Sequence, residues 1–358
     1  MTVPGTMTAA RLLRHGGPNA LEVAEVPVPS PGEGEVLVKV GAAALNNTDL
    51  WTREGAYGLP GDAGAKAGWR GPVQFPRIQG ADVAGTVVQV GEGVDRRLLD
   101  SRVLVDPAIY DSDDDDAHPV GLLGSERDGG YADYVVVPAQ RVHRVEDSPL
   151  SDVELAYLPT AYGTALGMLE RGGVQRGDTV VVTGASGGVG LALVQLAAAR
   201  GATVIAASSI AKTSAVREAG AWEVVDRTAN LWEQIVAVAP NGVDVVLDVV
   251  AGGGIAAGLS SVRDGGRWVV AGALGGYGID LDIRRLYLHN IALIGSSMHT
   301  PAHFRTLVDI ARQGQVRPVV AATYSLADVH RAQADLATRQ HVGKLVLVDE
   351  GRGSRVSH

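Results

Sequence analysis

Residues 178–200 read DTVVVTGASGGVGLALVQLAAAR, and this stretch decides the fold. Thr179 to Thr183 is a short β-branched run of the kind that forms a buried strand. Gly184-Ala185-Ser186-Gly187-Gly188-Val189-Gly190 follows at once, and an apolar, Ala- and Leu-rich helix then runs to a stop at Gly201. Strand, glycine turn and helix in that order make the first half of a dinucleotide-binding βαβ unit. Glycine serves where the backbone turns tightly and where it approaches a pyrophosphate, and the following helix N-terminus offers free N–H groups and a partial positive charge. Against the fingerprint G-x-G-x-x-G, residues 185–190 read A-x-G-x-x-G, with Ala185 in place of the first glycine. Contacts to a dinucleotide are expected from Ala185, Ser186, Gly187, Gly188 and Val189.

Beyond this unit, strands alternate with helices: Thr203–Ala207, Val224–Asp226, Val243–Val249, Arg267–Ala271 and Ala292–Gly295. That alternation is the signature of an α/β doubly wound parallel sheet. A helix from His303 to about Gln313, a second over Asp328–Thr338 and a final strand Lys344–Val348 form the C-terminal segment. On the N-terminal side the pattern is different. Short strand candidates at Glu35–Val40, Val83–Val90, Arg102–Val105 and Ala132–Val137, with turn residues between them, predict an all-β, barrel-like unit. Val153–Leu169 reads as helix interrupted at Pro159, residues 58–74 as a long loop, and residues 1–7 as a disordered leader. The expected division is residues 1–155, 156–300 and 301–358.

Composition narrows the function. A net charge of −9 and a pI near 5.5 provide no basic field for nucleic acid or anionic membrane. No apolar run reaches the roughly 18 residues of a membrane span. The N-terminus lacks an apolar signal core, so a cytoplasmic protein is expected. There is no cysteine, which excludes disulfides, thiolate zinc sites and cysteine nucleophiles. Asp111 to Asp116, five aspartates in six residues, is read as a solvated loop, since it lacks the glycine and distal glutamate of an EF-hand. His118, His143, His289, His299 and His303 show no ligand-like spacing.

The cofactor is expected to be NADPH. A site for NADH places Asp or Glu about 20 residues beyond the glycine loop. Here the second strand ends in Ser208-Ser209-Ile210-Ala211-Lys212, whose hydroxyls at Ser208 and Ser209 and ammonium at Lys212 suit a 2′-phosphate. Gly272-Ala273-Leu274 and Ser296-Ser297 follow two further strands, at the sheet end where such ligands bind, and their backbone groups are candidates for the nicotinamide carboxamide.

Several motifs together resemble the medium-chain dehydrogenase/reductase superfamily over nearly the whole chain. They are Gly80-Ala81-Asp82-Val83-Ala84-Gly85, Val90-Gly91-Glu92-Gly93-Val94, Asp128-Gly129-Gly130-Tyr131-Ala132-Asp133-Tyr134, Leu158-Pro159-Thr160 to Ala165, the Gly184–Gly190 loop of its quinone oxidoreductase branch, and His341 to Val348. The resemblance implies a GroES-like catalytic barrel with a Rossmann domain, an active site in the cleft between them, and a homodimer paired edge to edge through strand 292–297. It also implies cofactor contacts at Thr164 and Lys344. The positions matching the family's catalytic zinc ligands are Asn46, Ala81 and Thr160, and its four-cysteine structural zinc lobe is absent, so no metal is expected.

The function this implies is a zinc-independent NADPH oxidoreductase that transfers hydride to a small apolar acceptor, a quinone or an α,β-unsaturated carbonyl. A metal-free carbonyl/alcohol oxidoreductase and a low-turnover NADPH-binding sensor are the alternatives. Asn46-Asn47-Thr48-Asp49 followed by Gly55-Ala56-Tyr57-Gly58 resembles zinc-free enoyl reductases with Asn-x-Ser-Asp before Gly-x-Tyr-Gly. That likeness implies Tyr57 as proton donor. Asn46 is expected to donate its amide N–H to the same oxygen and Thr48 to relay a proton, while Asp49 is read as a turn cap.

Overall fold

A computed structural model describes residues 2–59, 61–62 and 64–349. Pro60 and Ala63 of the expected 58–74 loop, and Met1 of the expected leader, lie outside the described residues. The chain forms two compact units, Met1–Thr160 with Thr300–His358, and Ala161–His299.

In the first unit the long strand Glu35–Ala44 is the axis. It pairs antiparallel with Asp82–Val90, with Tyr134–Pro138 and with Lys344–Val348. Val36, Val38 and Val40 alternate into a core with Val83, Val87, Val103, Val135 and Leu345, as the two-residue period of a strand requires. Residues 6 and 7 are not part of a leader: Thr6–Leu12 is a strand paired with Leu21–Pro27, and Met7 is 4% exposed because alternate residues of that strand face inward. The aspartate run lies between the strands Ala108–Tyr110 and Pro119–Leu122. Asp113 pairs with Arg141 and Asp115 with Arg305.

The second unit is a six-stranded, all-parallel sheet. Its order is Glu223–Asp226, Thr203–Ser208, Thr179–Val182, Val243–Asp248, Val262–Val270, Ala292–Gly295. The order reverses between Thr179–Val182 and Val243–Asp248, and the C-terminal end of that switch point is where an open α/β sheet binds ligands. Trp268, fully buried, donates its indole N–H to Asp248 at 3.0 Å, and the Thr183 hydroxyl donates to the same carboxylate at 2.5 Å.

Asp152–Arg171 is assigned as one helix through Pro159, without the expected break. Proline removes one helical N–H. The next residue, Thr160, sends its own N–H out to Asp82 instead, so local backbone bonding is met by a side chain. No helix among the described residues is long and apolar enough to cross a membrane.

Candidate active site

The glycine loop of the sheet unit is shaped for close approach. The helix Gly188–Ala199 begins after Gly187, and a Cβ at Gly190 would lie 2.2 Å from the carbonyl oxygen of Gly184. Gly184 itself has φ +59°, which glycine adopts without strain. Ala185 is fully buried and donates its N–H to Ala207. The methyl therefore sits in the core, which explains how alanine takes the place of the first fingerprint glycine. Ser186, Gly187, Gly188 and Val189 are half-buried around the first helical turn, whose N–H groups have no partners within the helix itself. This backbone cradle fits a diphosphate.

At the end of the neighbouring strand, Ser208 is 1% exposed, and its hydroxyl has no hydrogen-bond partner among the described residues. Ser209 and Lys212 are half-buried beside it. Burial, and secondarily the charge of Arg227, push the Lys212 ammonium below its ordinary pKa. Arg227 was not singled out by sequence reasoning. It follows the strand Glu223–Asp226, and its backbone N–H donates to the Ser208 carbonyl at 2.9 Å. The adjacent Asp226 carboxylate turns to the N–H and hydroxyl of Thr228, at 3.0 and 2.8 Å. Only the strand order brings Arg227 beside the serines. Local spacing places it almost 20 residues away.

Gly272, Ala273 and Leu274 are half-buried past the end of Val262–Val270. Ser296 donates its N–H to Val270 at 2.8 Å, which sets the segment after Ala292–Gly295 beside them, with Ser297 exposed. Thr164, 6% exposed, donates its hydroxyl to the sulfur of Met298 at 3.8 Å.

The barrel unit carries a second cluster. Asp82, with no exposed surface, accepts the backbone N–H of Thr160 at 2.8 Å and its hydroxyl at 2.5 Å on one carboxylate oxygen. The other oxygen accepts the Asn46 amide at 3.0 Å and the Lys344 ammonium. Lys344 also donates to the Asn46 amide oxygen at 2.8 Å. Asn46 is the N-cap of the helix Asn47–Glu54, and Asp49 in the first turn accepts the Asn46 backbone N–H at 2.7 Å. Asp49 thus caps the turn. It also accepts the Tyr131 hydroxyl at 2.7 Å, and burial pushes its carboxyl up to about 7.

These residues do not fit a zinc ion. Of the three matching positions, Ala81 carries no donor atom, and Thr160 and Asn46 are bonded to Asp82. The Lys344 side chain, donating to the Asn46 amide oxygen, takes up the acceptor atom at that spot. No group of three His, Cys, Asp or Glu side chains suited to a metal occurs among the described residues.

Tyr57 and Thr48 are brought together: the phenol donates to the Thr48 hydroxyl at 2.7 Å, and its ring lies 5.3 Å from that of Trp51. Burial pushes the phenol pKa well up, so it remains protonated at neutral pH. Asn46 lies on the same segment but directs its amide N–H to Asp82 and, at 3.4 Å, to the Ala44 carbonyl.

Known proteins match most of the chain. Residues 32–147 match the alcohol dehydrogenase GroES-like domain, and residues 188–313 match the zinc-binding dehydrogenase domain. A crystal structure of a Sinorhizobium meliloti protein, provisionally called an alcohol dehydrogenase, is 46% identical over 97% of each chain, with a TM-score of 0.93. The chain belongs to the medium-chain dehydrogenase/reductase superfamily. This medium-chain dehydrogenase/reductase is also 28% identical to the quinone oxidoreductase of Sus scrofa, covering 96% of this chain and 98% of the relative. To the acryloyl-coenzyme A reductase of Metallosphaera sedula it is 29% identical, over 93% and 97%. As a member of this superfamily it is an oxidoreductase with a nicotinamide-dinucleotide-binding fold.

Proposed function

We propose that this medium-chain dehydrogenase/reductase is a zinc-independent, NADPH-dependent reductase of quinones or α,β-unsaturated carbonyls. The observation that carries the reading is the Asn46–Asp82–Lys344–Thr160 cluster, which ties two of the three zinc-matching positions, Asn46 and Thr160, into a closed ion-pair and hydrogen-bond network, the third being Ala81. With no Lewis acid there, charge on an acceptor oxygen must be met by protic groups. Tyr57 and Thr48 form such a pair, with the phenol as donor and the Thr48 hydroxyl as relay. Asn46 then serves by fixing the start of the helix that carries Thr48. The bound dinucleotide supplies the hydride. Ser208, Ser209 and Lys212 are assigned to its 2′-phosphate, and the relatives named above favour the acceptor class.

NADPH oxidation measured side by side with a quinone, an enone and a simple ketone tests the reading, together with elemental analysis. Quinone or enone turnover with substoichiometric zinc, unaffected by a chelator, is expected. One zinc per chain with chelator-sensitive turnover would overturn it. Faster ketone than enone reduction would instead select the metal-free carbonyl/alcohol reading.

A further inference from the structure

One face of the helix Asp152–Arg171 is committed to a single short segment. Thr164, Gly167 and Arg171 lie at spacings of three and four residues, which places them in a row. All three meet residues 296–298. From one guanidinium nitrogen, Nη1, Arg171 donates to the Ser296 hydroxyl at 2.9 Å and to the Met298 carbonyl at 3.0 Å. Thr164 reaches the Met298 sulfur, and a Cβ at Gly167 would lie 2.1 Å from the Met298 carbonyl oxygen. Met298 has φ +50°, a left-handed conformation that a non-glycine residue holds only when its surroundings impose it. No carboxylate pairs with Arg171 among the described residues, and burial holds its pKa below the ordinary value. A partly desolvated cation with no acid is costly, so its bonds to the segment are what compensate it.

We infer that Arg171 is the positioning residue for the 296–298 turn, fixing the backbone of Ser296 and Ser297 that receives the nicotinamide end of the cofactor. This rests on the cofactor reading proposed above. The guanidinium acts through the turn and makes no contact with the reacting atoms. Its loss leaves the glycine cradle and the Ser208–Lys212 end untouched, so only the nicotinamide half of the ligand should sense it.

Calorimetric binding of NADPH and of adenosine 2′,5′-bisphosphate tests this on wild type, Arg171→Met, Arg171→Lys and Gly167→Ala. The bisphosphate carries the adenosine and 2′-phosphate but no nicotinamide. Arg171→Met is expected to weaken NADPH about tenfold, the effect of losing charge-assisted hydrogen bonds, and to leave the bisphosphate within about twofold. Gly167→Ala sets a methyl against the same carbonyl and against the Arg171 guanidinium, at 2.1 and 2.6 Å, and should give the same signature, while Arg171→Lys should fall between. Unchanged NADPH affinity in both Arg171→Met and Gly167→Ala would overturn the inference, as would equal loss for the two ligands. Wild type that binds the bisphosphate as tightly as NADPH would instead sink the nicotinamide reading, and the inference with it.

Discussion

Lys344 sets its ammonium against the carboxylate of Asp82 with both side chains almost wholly out of water, at 4% and 0% exposure. The pair joins the last strand of the chain to the strand Asp82–Val90 through the side chain of Asn46. Removing one partner strands the other charge. Lys344→Met should therefore lower stability by about 3–5 kcal/mol, the usual cost of breaking a buried pair from one side. Urea denaturation checks this. A loss below about 1 kcal/mol, as for a surface ion pair, would show that the pair is solvated.

Asp49 predicts a pH dependence of stability. Its folded pKa of about 7 lies above the ordinary value near 3.8, with burial as the first cause and the Asp82 charge adding to it, against hydrogen bonds from Tyr131 and Asn46 and the charge of Lys344. The folded state therefore holds a proton that the unfolded state releases. This contribution is fully present below about pH 4 and is lost as pH rises to about 7, by up to roughly 4 kcal/mol from this one group. Asp49→Asn keeps an oxygen for the Asn46 N–H and the Tyr131 hydroxyl but cannot ionise. Its stability between pH 5 and 8 should fall less than that of wild type. Parallel profiles for the two proteins would remove Asp49 as the cause.

How far the sequence carried differs between the two units. In the sheet unit, every parallel strand was legible, because β-branched runs such as Thr179–Val182 and Val243–Asp248 are buried on both faces and bounded by turns. In the barrel unit, Leu21–Pro27 and Thr6–Leu12 were missed, since their half-exposed residues mix charge with small apolar groups. The three-residue strands Ala108–Tyr110 and Val142–Arg144 are too short to show a period. Asn46 and Tyr57 are candidates through the resemblance alone. The partners of Asn46 were not legible, because Asp82 and Lys344 lie 36 and 298 residues further along. Arg171 was equally invisible, since its targets are 125 and 127 residues away.

Lys212 and Arg227 together predict the cofactor preference. Loss of one charged hydrogen bond costs roughly 1.5–3 kcal/mol, so Lys212→Ala should raise the NADPH Michaelis constant about 10- to 100-fold and leave that for NADH nearly unchanged. Arg227→Ala should act in the same direction but more weakly, because Arg227 is exposed. Equal losses for NADPH and NADH in Lys212→Ala would move the 2′-phosphate elsewhere.

The strand Ala292–Gly295 ends the parallel sheet with its outer side unpaired among the described residues. Leu293 on it is 39% exposed, and Ile283, Tyr287 and Leu288 nearby are 60%, 62% and 63% exposed. We propose that a second copy covers this edge, since an open apolar edge is a template for strand pairing. Light scattering should give a dimer, and Leu293→Lys should shift it towards monomer. A monomeric wild type would end this proposal.

Tyr57→Phe tests the chemistry itself. The phenol is held on Thr48 at 2.7 Å, and burial keeps it protonated, so it has a proton to give at neutral pH and a neighbour through which to regain one. Hydride arriving at the β-carbon of an enone leaves an enolate, whose oxygen needs a donor before the product is complete. Removing the hydroxyl should lower enone turnover by roughly 10²–10⁴, the range for general acid catalysis. Binding of NADPH, measured directly, should barely change, because the phenol is assigned to the acceptor alone. Thr48→Val should reproduce a smaller part of the loss, since it leaves the donor and removes only its relay. Quinone reduction should suffer less in both variants, since the hydroquinone anion is stable enough to be protonated by water. The contrast between acceptors separates proton donation from packing: a phenol that only shaped the pocket would, when lost, slow enone and quinone alike. Full enone turnover in Tyr57→Phe would exclude Tyr57 as the donor and leave the oriented cofactor to account for the rate.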